Sequence, residues 1–166
     1  MFVGSGRSGL YSGTFGSSQP LSPSYGVLPD MREADESSGI LDDEGCYVRN
    51  PTACRIENMI RGNYIGDKRT NGLFIYVITL NGDIVVGRRN GNGPHGSPTP
   101  HPTLIGGRNP RVKMAGMLEI RGGKIFSYDG RSGHFKPNRR SMDVADEAFG
   151  RLPSNLFHRK SPRRRR

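Results

Sequence analysis

Two histidines sit in Gly/Pro-rich segments about thirty residues apart, His101 in HPTLIGG and His134 in SGHFKP. An imidazole changes charge near neutral pH, so two of them beside a hydroxyl can divide general acid and general base work. Ser132 supplies that hydroxyl, with Gly133 as a pivot before His134. His101, His134 and Ser132 are therefore the candidate catalytic residues. Asp129 is placed to orient one ring, and Glu119 is the weaker carboxylate. Beside His101, Thr103 adds a second hydroxyl, and Gly106 and Gly107 allow backbone N–H groups to cradle an anion. Arg108 and Arg111 are suited to grip phosphate or carboxylate in bidentate fashion. Thr103, Gly106, Gly107, Arg108 and Arg111 are thus candidate substrate-binding residues. Each has a plainer alternative: a loop histidine that only bonds locally, a serine that closes its own turn, a double glycine that is only a turn. His95, in GPHGSP, is the least constrained of the histidines.

Several chemistries are excluded. No H-x-H or C-x-x-C spacing is present, so no metal site is assigned. Cys46 and Cys54 are read as free thiols, with a disulfide between them as the alternative. No P-loop, G-x-S-x-G, H-E-x-x-H or dinucleotide fingerprint occurs.

Composition bounds the rest. With 166 residues, 33% hydrophobic content, 24 Gly and 12 Pro, the chain reads as one domain with extensive loops. No apolar run approaches the ~20 residues that span a bilayer, and MFVGSGRSGLYSG is not a secretory signal peptide. The net charge of +10 is uneven. Residues 30–44 carry seven acids against Arg32, whereas residues 45–158 carry 17 Lys/Arg against 8 Asp/Glu. A basic body favours nucleic acid, a nucleotide or another anion as partner, or serves solubility alone.

The elements that must position the histidines are legible in part. Residues 1–44 read as a Gly/Ser-rich leader and acidic segment, loop or disordered, in which Tyr11, Phe15 and Tyr25 are potential anchors. Residues 45–158 read as a single α+β domain, and 159–166, RKSPRRRR, as a basic disordered tail. NPTACRIENMIR at 50–61 predicts a helix with Asn50 as N-cap and Pro51 in its first turn. LFIYVITLNGDIVVGR at 73–88 predicts a β-hairpin with a type I′ turn at Asn81-Gly82. A second hairpin follows at 114–128, turning at Gly122-Gly123. SMDVADEAFGRL at 141–152 predicts a helix capped by Ser141, with Met142, Ala145, Ala148 or Phe149, and Leu152 on its buried face. The fold class is α+β: a small antiparallel sheet of two hairpins, a helix before and a helix after, long Gly/Pro-rich loops and disordered termini. If the strands meander antiparallel, loop 89–113 and the segment after 128 leave the same end of the sheet, which brings His101 to His134.

HPTLIGGRNPRVKMAGMLEIRGGKIFSYDGRSGHFKPN resembles a module with the pattern H-[SP]-x-L-x-G-G, A-G, G-K, S-G-H-[YF]-x-P, found at the C-termini of bacterial polymorphic toxins and secreted effectors. A similar block occurs in the IQ-motif calmodulin-binding proteins of plants. The match covers about 101–138. YSGTFGSSQP and AFGRLPSNLFHRK also resemble the lead-in and terminal helix of the toxin-like relatives. The pattern adds Lys124, Phe135 and Pro137 to the candidate substrate-binding residues. The chain departs from the plant form with Pro102-Thr103 for Ser-Ser, and with Phe135 for Tyr, which removes a hydroxyl. No IQ motif is visible, so calmodulin binding is not implied.

The resemblance implies a toxin or effector of interbacterial competition. Such a domain is delivered by a specialised secretion system into a target-cell cytoplasm and is neutralised by an immunity protein. Two reactions fit the histidines: nuclease-like phosphodiester transfer, and transfer from a nucleotide such as NAD in the manner of an ADP-ribosyltransferase. No resident cofactor is assigned, and NAD enters as a candidate substrate. The alternative is a non-catalytic binding module for a protein partner, with nucleic-acid affinity from the basic tail.

Overall fold

The computed structural model describes residues 23–62, 64, 65, 68, 69, 71–90, 93–158, 163 and 164. The leader through Ser22, with Tyr11 and Phe15, and residues 159–162, 165 and 166 of the tail lie outside the described residues. In chain order the elements are β1 (Tyr25–Gly26), α1 (Pro29–Ser37), β2 (Cys54–Arg55), α2 (Ile56–Gly62), β3 (Tyr64–Ile65), β4 (Lys68–Arg69), β5 (Gly72–Ile78), β6 (Ile84–Gly87), β7 (Arg111–Val112), β8 (Met114–Arg121), β9 (Lys124–Tyr128), α3 (Met142–Gly150) and β10 (Arg163–Arg164). The fold is α+β. Six strands form the main sheet in the order β10-β9-β8-β5-β6-β2, and β1-β7 and β3-β4 are separate two-stranded pairs. Among the described residues no helix is long and apolar enough to cross a membrane.

β5 is central, and Phe74 to Ile78 are all fully buried. An unbroken apolar run of this kind belongs to a strand covered on both faces. One face, with Phe74, Tyr76, Ile78, Val86 and Leu118, packs under Ile56 and Met59 of α2 and Met142, Ala145, Ala148 and Phe149 of α3. The other face, with Ile75, Val77, Val85 and Ala115, is covered by loops that contribute Leu104, Val112 and Phe135.

Both hairpins form, with exchanged turn geometry. At the first, Thr79 N donates to Asp83 O (2.8 Å) and Gly82 N to Thr79 O (2.9 Å). Gly82 has positive φ and Asn81 does not, so this is a three-residue loop closed by a glycine bulge instead of a type I′ turn. Gly122 and Gly123 both have positive φ, which puts the type I′ signature at the second hairpin.

Strand direction differs from the expected meander. β8 pairs antiparallel with β5, Ile78 opposite Met114 and Gly72 opposite Ile120, and β5 is also antiparallel to β6. β6 and β8 therefore point the same way, and residues 93–113, between them in the chain, pass over the loop-covered face, where Leu104 and Val112 pack. The loops after β6 and β9 leave in opposite directions, not from one end. They meet because β6 and β9 are short. Gly87 ends β6 opposite Ile75, which faces Met117. Past Tyr128 the chain is held by Asp129 N donating to Met117 O (3.0 Å).

Two helix caps also move. The helix expected at 50–61 begins only at Ile56. Asn50 and Thr52 instead clamp the end of β6: Asn50 Nδ2 donates to Arg88 O (2.8 Å), and Arg88 N donates to Thr52 Oγ1 (2.8 Å). Ahead of α3, Asn138 Oδ1 accepts from Ser141 N (3.1 Å), while Ser141 Oγ bonds the Tyr25 hydroxyl (2.6 Å). Tyr25 thus anchors the segment before α1, as its aromatic ring suggested. The segment read as loop or disordered contains helix α1, and Arg163–Arg164 of the tail pair in parallel with β9.

Candidate functional site

Gly116 in β8 is the point on which the site is built. A Cβ there would overlap the Asp129 carbonyl and approach Tyr76 Cε1 to 2.9 Å. Without one, Asp129 packs directly over the strand, and the buried Tyr76 hydroxyl donates to Asp129 O (2.6 Å). From the crossover, His101 Nε2 reaches Gly116 O at 2.8 Å. A carbonyl oxygen only accepts, so Nε2 carries the hydrogen and Nδ1 is left as the acceptor. Burial pushes the His101 pKa down to about 4, with smaller contributions from the neighbouring His134 and Arg89, against the raising effect of the Gly116 bond. His101 is therefore neutral at pH 7.

His134 is held differently. Its Nε2 lies 2.9 Å from Asp35 Oδ2 and 3.2 Å from Oδ1. The same Oδ2 accepts from the Tyr47 hydroxyl at 2.6 Å. Burial and the Asp35 hydrogen bond raise the Tyr47 pKa, so this hydroxyl keeps its proton and remains a donor. The result is a buried Tyr47–Asp35–His134 chain, with His134 O also accepting from Leu28 N (2.9 Å) just before α1. Asp35 is the one buried side chain of α1. The sequence reading missed it, because an acidic run is ordinarily solvated. The available signal was Pro29-Asp30, a helix-opening pair, ahead of acids that face a basic body.

The two imidazoles line one cavity of about 410 Å³ with Ser132, Gly133, Pro100, Arg89 and Arg131. Its floor is apolar: Leu73 and Ile75 of β5, Met117 of β8 and Met31 of α1. Asp129, expected to orient a ring, instead accepts from Met117 N (2.8 Å) and Arg131 N (2.9 Å) through Oδ1 and holds the loop. Ser132 Oγ accepts from Phe135 N (3.3 Å), closing its own turn while lining the cavity.

The remaining candidates lie elsewhere. Thr103 is buried, with Oγ1 donating to Pro100 O (2.6 Å). The Gly106 and Gly107 amides are both engaged, on Pro102 O (2.9 Å) and Tyr47 O (3.0 Å), so they form no anion-binding nest. Arg108 gives its carbonyl to Arg32 Nη1 (2.7 Å), and Arg111 holds Ser24 through Nη2 (3.0 Å to the carbonyl). Lys124 begins β9 and donates to Asn155 O (2.9 Å), away from the histidines. Phe135 is a core residue among Ile75, Val77 and Leu104. Pro137 follows it outside the cavity lining. The arginines that do reach the cavity, Arg89 and Arg131, flank the two motifs.

Among the described residues no cluster of His, Cys, Asp and Glu could hold a metal ion, and Cys46 and Cys54 are free. A larger cleft of about 580 Å³ lies at the Asn81-Gly82 end between α2 and α3. Most of its charged groups pair with one another or with nearby side chains: Arg151 with Glu147 (3.6 Å), Asp83 and Glu57 with Arg55 (3.2 Å each). Among the described residues no histidine lines it, so the candidate site is the smaller cavity. Against protein-family models, curated proteins and solved structures, the chain finds no match.

Proposed function

We propose that the chain is a toxin- or effector-type domain that performs acid–base chemistry on an anionic nucleotide or nucleic-acid substrate in the cavity between His101 and His134. The observation that carries this reading is the unequal treatment of the two rings in one cavity. His101 is neutral with its Nε2 hydrogen tied to Gly116 O, which leaves Nδ1 to take a proton. His134 has the Asp35 carboxylate behind it at 2.9 Å, which orients the ring. An acceptor and a donor of this kind can remove a proton from an attacking hydroxyl and return one to a leaving oxygen. Arg89 and Arg131 in the lining supply the positive charge that a phosphate needs. The motif resemblance supports delivery into a target cell, with an immunity protein as natural partner.

A second reading is favoured by the engaged Ser132 hydroxyl and the deep burial of His101: the histidines only stiffen a binding surface for a protein. One experiment separates the two. The full chain is expressed from a tightly controlled promoter, and growth is compared for wild type, His101→Ala and His134→Ala, with folding checked by circular dichroism. The catalytic reading expects wild type to arrest growth and each folded variant to restore it. Arrest that survives both substitutions, or wild type harmless in bacterial and eukaryotic hosts, overturns it.

A further inference from the structure

The cavity's own chemistry narrows the substrate, on the reading that this cavity is the site. Its volume of about 410 Å³ is at the small end of the ~300–1,000 Å³ occupied by small-molecule ligands. Among the described residues no carboxylate lines it. The nearest acids are engaged: Asp35 with His134 and Tyr47, Glu119 with Arg121 (2.7 Å), and Asp129 Oδ1 with two backbone amides while its Oδ2 stands 3.6 Å from Arg131 Nε. Arg131 is 76% exposed at its side chain, so an exchange of its 3.6 Å pairing with Asp129 for a ligand anion costs little desolvation. In the same lining Leu73 is 60% exposed, one of three large hydrophobics so exposed among the described residues. Leucine and two methionines make an adaptable apolar surface, and the thioethers suit the edge of an aromatic ring. A ligand that satisfies both sides has one flat ring and one phosphate. A nucleic-acid chain is recognised otherwise, by successive bases on aromatic side chains along a basic groove. Among the described residues no Phe, Tyr or Trp lines this cavity.

We infer that the cavity binds a single nucleoside phosphate, with the base on Leu73, Met31 and Met117 and the phosphate between Arg89 and Arg131, and is not a groove for a polynucleotide. The methionines give a direct test. Full-length protein with ¹³C-labelled methionine methyls is titrated with AMP, adenosine, ribose 5-phosphate and a short single-stranded RNA. AMP is expected to shift Met31 and Met117, and to leave Met59, Met114 and Met142, which pack on the opposite face, in place. Adenosine and ribose 5-phosphate each lack half of the recognition, and each is expected to bind at least about tenfold more weakly. Leu73→Glu, at an exposed position, is expected to weaken AMP by at least about tenfold with the fold intact. RNA that shifts Met31 and Met117 while millimolar AMP does not overturns the inference but leaves the cavity as the site. Silence of both methyls toward every probe overturns the inference and the nucleotide reading together.

Discussion

Seventeen buried residues form the cluster between the sheet and helices α2 and α3, against seven beneath the loops on the other face. On the helical face Phe149 stacks on Tyr128 with ring centroids 4.1 Å apart, and meets Tyr76 edge-on at 5.3 Å. Such packing is non-directional and tolerant of detail. On the loop face the segments are held by individual polar ties: Asn50 to Arg88, His101 to Gly116, and Asp35 to Tyr47 and His134. The first arrangement supplies stability. The second fixes the geometry of the segments that carry the two histidines around their cavity.

Removing the ring that α3 contributes to the helical face should break this division most severely. Phe149→Ala is expected to lower unfolding free energy by about 3–5 kcal/mol, measured by urea denaturation. While the protein remains folded, Met31 and Met117 resonances should hold their wild-type positions. A shift of the cavity methyls in this variant would show that the faces are not independent.

The loop face should respond to acid instead. Above pH 6.5 His101 is neutral in the folded and unfolded chains alike. As pH falls, the unfolded chain binds the proton first, because burial holds the folded pKa to about 4. Stability attributable to His101 is therefore complete above pH 6.5, declines between 6.5 and 4, and levels off below 4, a loss of about 3 kcal/mol. Comparing urea midpoints of wild type and His101→Gln across this range should show that part of the acid decline missing from the variant. Equal pH profiles would place His101 in contact with solvent.

The two faces also differ in what sequence can reveal. Period and propensity mark both hairpins and the Met142, Ala145, Ala148 and Phe149 stripe, because packing selects residues at regular spacing. The turn chemistry was exchanged because Asn-Gly serves either a type I′ turn or a glycine bulge, and the loop length decides between them. Strand direction failed for a related reason. A 25-residue link is long enough to cross a sheet, and nothing in GPHGSPTPHPTLIGG states where it lands. Gly116 was visible as part of an Ala-Gly motif, yet its reason, the Asp129 backbone lying on it, exists only in three dimensions. Asp35 carried no signal of its own among six other acids.

Asp35 offers the next largest effect. Asp35→Ala leaves the Tyr47 hydroxyl without its partner in a buried place and unties His134. The expected loss is about 2–3 kcal/mol, within the range for hydrogen bonds to charged groups. Hydrogen exchange should quicken in the segment around His134 and at Leu28, whose amide bonds His134 O, before it quickens in α3. Simultaneous loosening of α3 would mean that Asp35 supports the whole fold and not one face.

Phe135→Tyr should have the smallest effect, and it separates packing from chemistry most cleanly. The resembling plant block has Tyr where this chain has Phe135, so the added hydroxyl tests whether that position acts in the site. Here Phe135 is 2% exposed among Ile75, Val77, Val85, Leu104, Val112 and Ala115. A hydroxyl placed there meets apolar side chains and loses its water, at about 1–3 kcal/mol. It does not enter the cavity, whose lining stops at His134. The expectation is a modest drop in urea midpoint with AMP affinity unchanged. Tighter binding of AMP by Phe135→Tyr would put residue 135 in the site and move the border between the packed core and the cavity one residue further along the chain.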